Sequence, residues 1–415
     1  MTEPIRTHRG KQLHQLAHET QTIYIEMCVF VTLVCNFFIL WGNPIYNNTI
    51  ISLGTRVMIL FLLGLAIVAF LNSLRRMRLS TMNAWFTLIV VLTAFCGVAS
   101  SGTGFAGLLV NYLCFLMLPS FMMLYYDVQH TRTIKKAVYV AALAYTGLFL
   151  WLNRQNFAYR IVGEYGLELG DNLTLGYTNP NETGMYLLIT FFILLVAFFD
   201  HKKWWQKGLY AAATAANMYF IMLTDSRACI ILAWIALVVT VFNLDTYCGR
   251  IIQRIVLAVP AFFLVLSLIF PNFLARLTVM GEIADTGRSA MFSAVIGAMK
   301  PIHYLIGNFF HYPGSNLHNS YISLLAMFGL PVTVLYLRFM GLALSHYHTR
   351  ITTKSTRIAF MCFLCVILHG VAEAAFLVSG VVYAGMSSLL FLLMLPDESA
   401  VTEPTSIETE EATDV

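Results

Sequence analysis

The residues best suited to chemistry stand at the heads of apolar runs, where helices would begin. Arg227, in LTDSRACII, follows Asp225 and Ser226, either of which can N-cap that helix. Its guanidinium and the positive end of the helix dipole then point at one spot, which suits an anion. Arg288, in ADTGRSAMF, repeats the arrangement behind Thr286 or Gly287. Two guanidiniums near two helix starts suit a diphosphate, which takes several planar donors. His318, in SNLHNSYIS, opens a further apolar run. A neutral imidazole there can accept a proton from a hydroxyl such as that of a sugar. Asn319, Ser320 and Tyr321 follow it and can bind the sugar or orient the ring. Asn179 and Asn181, in GYTNPNETG, offer an amide cluster at a turn before another run. Glu373, in HGVAEAAFL, is an acid at the end of a run, near His369, free to face a ligand or to pair with an Arg. Each residue also has a plainer role: a span anchor for Arg227, a solvated charge for Arg288, a helix cap for His318, a turn for Asn179 and Asn181.

The elements that must position these side chains are apolar runs near 23–41, 54–73, 83–100, 106–126, 135–152, 184–199, 206–223, 228–243, 252–270, 319–340, 357–373 and 377–395. Each approaches the roughly 20 residues with which a helix crosses a bilayer. The 415-residue chain is 59% hydrophobic and only 11% charged, where a soluble domain carries about a quarter charged residues. Mean hydropathy is +0.73. The expected fold class is an all-α polytopic membrane protein of about twelve transmembrane helices, with a large outer loop between helices 9 and 10. With the N-terminus in the cytoplasm, most of the 25 Lys and Arg residues fall on inner segments. The outer ones are Arg56, Arg154, Arg160, Arg227, Arg276, Arg288 and Lys300. That alternation supports an even number of spans and places both termini inside.

The expected organisation is a cytoplasmic segment 1–22, a transmembrane region 23–395 and an acidic, disordered cytoplasmic tail 396–415. Two long outer loops, 153–183 and 271–318, are where an outward-facing site would be built. The second contains a predicted surface helix, Gly287 to Lys300, stopped by Pro301, with Met291, Val295 and Met299 on one side. The first apolar run lacks a small-x-small cleavage site, so it is read as an uncleaved span.

Several classes are excluded. A net charge of +4 is too small to imply nucleic acid; the expected surroundings are a lipid bilayer. The eight cysteines form no extramembrane framework, and Cys362-x-x-Cys365 falls mid-span, where buried small residues are expected. No Walker A, H-E-x-x-H or G-x-S-x-G motif occurs, nor a carboxylate cluster on an outer loop. No metal or cofactor is expected.

The motifs have an order: N-P-N (Asn179 to Asn181) before a span, D-S-R (Asp225 to Arg227) heading a later one, and G-R-S (Gly287 to Ser289) in the large loop. H-N-S-Y (His318 to Tyr321) then opens the next span, with a G-x-P (Gly329, Pro331) shortly after. That order resembles the O-antigen ligase and polymerase superfamily, over about Gly176 to Gly380. The resemblance implies a glycosyltransferase in the cytoplasmic membrane, its active face outward. Such enzymes move a glycan from an undecaprenyl diphosphate carrier to an acceptor sugar, as ligase or as polymerase. It implies that Arg227 and Arg288 hold the carrier diphosphate and that His318 serves the glycan or glycolipid acceptor. Asn179, Asn181, Asn319, Tyr321 and Glu373 are the candidate substrate-binding residues. The N-terminal half carries no matching motif, so the acceptor is not identified. The rival reading is a transporter or flippase of lipid-linked oligosaccharide. Against it, the halves show no repeated pattern and polar groups gather at the outer face. A third reading, a polysaccharide-binding scaffold, leaves Arg227, Arg288 and His318 unexplained.

Overall fold

The computed structural model describes residues 3–42, 48–78, 80–99, 105–125, 128–154, 175, 180–224, 226–244, 254, 258, 265, 294–308, 318–373 and 380–397. Regular secondary structure among the described residues is entirely helical. In chain order the helices are α1 (Glu3–Gly42), α2 (Asn48–Arg76), α3 (Thr81–Ala99), α4 (Phe105–Leu124), α5 (Thr131–Leu152) and α6 (Pro180–Asp200). They continue with α7 (Trp204–Leu223), α8 (Arg227–Val241), α9 (Pro301–Ile306), α10 (Ser320–His348), α11 (Lys354–His369) and α12 (Val381–Leu392).

Among the described residues, six helices are long and apolar enough to cross a membrane: α1, α2, α3, α5, α6 and α10. They make the chain a multi-pass membrane protein. Parts of α4, α8 and α12 are equally apolar but shorter. α7 carries Gln206, Lys207, Thr214 and Asn217 and is not among the six. Every apolar run seen in the sequence falls on one of these helices except the ninth, 252–270. Apart from residues 254, 258 and 265, that run lies outside the described residues.

Burial ranks the helices. In its most apolar stretch α6 is 83% buried, against 28% for α2 and for α3. α6 is therefore the axis, packed by α5, α7, α8, α11 and α12. α2 and α3 present Leu60, Ile67, Leu71, Val91, Phe95 and Val98 outward. A surface of that kind suits lipid, which offers no hydrogen bonds, so buried polar groups must pair within the bundle. Tyr125 donates to the Ser388 carbonyl at 2.6 Å, joining α4 to α12. Tyr347 donates to the Met122 carbonyl at 2.8 Å, joining α10 to α4, and Asn217 donates to Thr146 Oγ1 at 2.9 Å, joining α7 to α5.

α10 is broken at Gly329, whose φ of 80° and ψ of 176° are not helical, two residues before Pro331. A Cβ at Gly329 would lie 2.6 Å from the Leu305 carbonyl, and one at Gly307 would meet the backbone of Met327. Both glycines have positive φ, so only glycine lets the two backbones approach this closely. The Asn308 amide donates to the Ala326 carbonyl at 2.8 Å. The segment 294–308 thus lies against the break in α10.

That placement corrects the expected surface helix Gly287 to Lys300. Residues 294–298 are helical, but Val295 and Met299 are buried, Met299 against Leu325 and Tyr304. Pro301 opens α9 as its first residue. Met291 lies outside the described residues. The tail expected to be disordered from residue 396 has an engaged start, because Asp397 pairs with Lys135 at 3.0 Å.

Candidate functional site

The site forms where α10 begins and α11 ends. Asn319 is the N-cap of α10: its Oδ1 accepts from the amides of Tyr321 and Ile322, both at 2.9 Å. Its Nδ2 donates to the Val371 carbonyl at 2.8 Å. Ser320 adds two bonds across the same seam, from its amide to the Gly370 carbonyl at 2.7 Å and from its hydroxyl to the Glu373 carbonyl at 2.9 Å. Tyr321 donates to the Ile367 carbonyl at 2.7 Å. Asn319, Ser320 and Tyr321 are buried. A buried backbone carbonyl left unpaired costs about 1–3 kcal/mol, so each of these bonds holds the seam shut.

His318 stands just outside this seam, with a left-handed backbone at φ 45°. That conformation is uncommon for a residue with a side chain and persists where surrounding contacts impose it. Its Nδ1 donates to Glu373 Oε2 at 2.7 Å. The Glu373 side chain is 5% exposed and the His318 side chain 21%. A carboxylate only accepts hydrogen bonds, so Glu373 selects the Nδ1–H tautomer and makes Nε2 the basic nitrogen. A buried carboxylate therefore sets the orientation of a partly exposed imidazole.

α8 reaches the same end. Ser226 is its N-cap residue, and its hydroxyl does not cap the helix. The first turn of α8 therefore keeps its positive dipole end uncovered by that side chain, and Arg227, exposed, is the first helical residue. Two residues on, Cys229 Sγ lies 3.5 Å from His369 Nε2. His369 is the last residue of α11, and its carbonyl accepts from the Glu373 amide at 2.9 Å. The first turn of α8 thus meets the end of α11 that leads to Glu373.

The head of α6 completes the cluster. A Cβ at Gly184 would fall 2.7 Å from Ser226 Cβ, so glycine lets α6 close on the turn before α8. Glu182 Oε1 accepts from the Tyr186 hydroxyl at 3.0 Å. Tyr186 in turn stacks on Tyr383 of α12, centroids 4.6 Å apart and 10° from parallel. Asn181, half-buried, is in the first turn of α6.

His318, Glu373, Asn319, Tyr321, Arg227 and Asn181 are therefore gathered at one end of the bundle. Arg288 and Asn179 lie outside the described residues, as does Asp225. Of the residues expected to bind a ligand, Glu373 pairs with His318. Asn319 and Tyr321, expected to bind a sugar or orient the ring, direct polar atoms to protein and brace the α10–α11 seam. Sequence reasoning missed Cys229 and Gly184 as parts of this end. Their only signal was position, since small residues where helices meet allow close approach. The cysteines among the described residues are buried, Cys362 and Cys365 included; Cys248 lies outside them.

Comparison with family models, curated proteins and solved structures finds no match.

Proposed function

We propose that the chain is a membrane glycosyltransferase that moves a glycan from a polyprenyl diphosphate carrier to an acceptor sugar. This is the activity that resemblance to O-antigen ligases and polymerases implies. The observation that carries the reading is the 2.7 Å pair between His318 and a buried Glu373, at the end where α8 presents Arg227. A ring oriented in this way suits general-base work.

In the proposed reaction the acceptor hydroxyl attacks the anomeric carbon. Its proton passes to His318 Nε2, and Glu373 stabilises the imidazolium. The bond from the anomeric carbon to the carrier diphosphate breaks, and the diphosphate leaves with the electron pair. Arg227, beside the open head of α8, neutralises it; Arg288 is assigned the same duty from its sequence context. In-line attack inverts the anomeric carbon. Asn319, Ser320 and Tyr321 position the base, and the Asn179–Asn181 turn binds sugar. In this reading the chain crosses the cytoplasmic membrane twelve times, with both termini inside and the His318 end outward. The distribution of Lys and Arg supports that orientation.

A flippase is the second reading, favoured by the break in α10 at Gly329, since transporters bind substrates at discontinuous helices. One experiment separates the two. Purified full-length protein is reconstituted with a polyprenyl-diphosphate-linked glycan and candidate acceptors, and product length is followed. A single transfer per acceptor identifies a ligase and a ladder identifies a polymerase. Movement of the donor across the bilayer without transfer overturns the glycosyltransferase reading.

A further inference from the structure

The opposite ends of the same helices build a second feature. Where α5, α7 and α11 begin and α6 ends, a cavity of about 910 Å³ opens. Arg132, Lys136, Lys202, Lys203 and Lys354 line it, against two carboxylates, Asp200 and Asp397. Both carboxylates already have partners. Asp397 holds the buried Lys135 at 3.0 Å, and Asp200 accepts from the Ser355 hydroxyl at 3.0 Å. Lys354 rests over the Phe199 ring, 4.5 Å from its centroid. No carboxylate among the described residues pairs with Arg132, Lys136, Lys202 or Lys203.

The rule that places basic residues on one side of a membrane explains why these cations share a side. It does not explain why three separate stretches of chain bring them around one cavity. Three helix N-termini add their dipoles to the same space. Lys203, the N-cap of α7, makes no side-chain cap bond, whereas Thr353, the N-cap of α11, accepts from Thr356. The C-terminal end of α6 opposes them, with Lys202 close behind it, as does the end of α12, which Asp397 follows. The volume lies within the range of about 300–1,000 Å³ typical of small-molecule sites. Beside the cavity, Trp204 is 84% exposed and Trp205 51%. Exposed tryptophans next to lysines mark the level of lipid headgroups.

We propose that this cavity binds a phosphate-rich anion, one bearing two or more phosphate charges, such as the headgroup of an anionic lipid or a soluble polyphosphate. Arg132 supplies a planar fork, and the surrounding ammonium groups reach phosphate oxygens from different directions. The site is separate from the His318 end and independent of the transfer reaction proposed there.

The test measures the unfolding temperature of the full-length protein in neutral detergent, titrated with cardiolipin, with inorganic pyrophosphate, or with phosphatidylcholine as the neutral control. A ligand that binds only the folded state raises that temperature saturably. Cardiolipin is expected to do so and phosphatidylcholine is not. Stabilisation by cardiolipin alone assigns the site to a headgroup; stabilisation by pyrophosphate as well assigns it to soluble phosphates. The triple variant Arg132→Gln, Lys136→Gln, Lys203→Gln should weaken the effect about a hundredfold. The variant Arg75→Gln, Arg76→Gln, Arg78→Gln, outside the cavity, should leave it unchanged. If the first triple variant does not fold, Lys136→Gln and Lys203→Gln singly should each cost about fivefold. No stabilisation by either phosphate ligand overturns the proposal. So does equal weakening by both triple variants, which would mean a diffuse positive surface.

Discussion

The two ends of the bundle handle charge in opposite ways. At the His318 end, polar side chains among the described residues are held in fixed partnerships: Glu373 is buried and bonded to His318, and Asn319 is fully buried and bonded three times. At the Lys135 end, cations exceed carboxylates and most stand exposed around an open cavity. A buried pair loses much when one member changes, because its partner is stranded away from water. An exposed cation loses little, because water replaces its partner. The difference separates an end built for fixed geometry from one built for summed field.

The largest effects should therefore fall at the His318 end. His318→Ala should lower glycan-transfer turnover about a hundredfold or more. Glu373→Gln, which keeps the shape but removes the charge behind the ring, should lower it by a comparable factor. Single-turnover and steady-state kinetics on inserted protein would decide the role. A rise in donor KM at unchanged turnover would make His318 a binding residue. Full activity in both variants would reduce the pair to a clasp and erase the contrast between the ends.

Arg227→Ala should abolish most transfer while leaving a folded, inserted protein, and Arg227→Lys should rescue poorly because an ammonium lacks the bidentate fork. Efficient rescue by Lys would mean that a point charge suffices at this end, as proposed at the other.

Asn319→Ala removes a helix cap and leaves the Val371 carbonyl without its donor, so unfolding should be easier by about 2 kcal/mol. Asn319→Asp keeps the cap acceptor and should lose less. Denaturation in detergent checks both, and an equal loss in the two variants would point away from the cap.

The smallest effects belong to the Lys135 end. Lys135→Met breaks a pair whose carboxylate is 34% exposed and can rehydrate, so the loss should be about 1 kcal/mol. Lys202→Gln should change stability by less than about 0.5 kcal/mol and leave transfer untouched. A large loss of transfer in Lys202→Gln would tie the ends together and break the comparison.

The helices were legible in the sequence because the bilayer imposes a length and a composition on any segment that crosses it. That constraint is local, so the runs at 54–73, 135–152 and 184–199 coincide with α2, α5 and α6. The motif residues were legible for a related reason, since Arg227 and His318 sit at helix starts that apolarity marks. Local pattern misled where depth mattered: the spacing of Val295 and Met299 reads as a surface helix, yet both are buried, Met299 against Leu325 of α10.

Pairing was not legible. His318 and Glu373 are 55 residues apart, and no local pattern says which acid faces which ring. The tertiary structure decided that, and with it the bonds by which Asn319 and Tyr321 brace the α10–α11 seam. It also decided that Arg132, Lys136, Lys203 and Lys354 share one cavity, which in the sequence are charges on three separate connections. The physical reason is common to both cases. Hydropathy acts residue by residue along the chain, whereas a hydrogen bond or a summed electrostatic field depends on distances that exist only once the helices have packed.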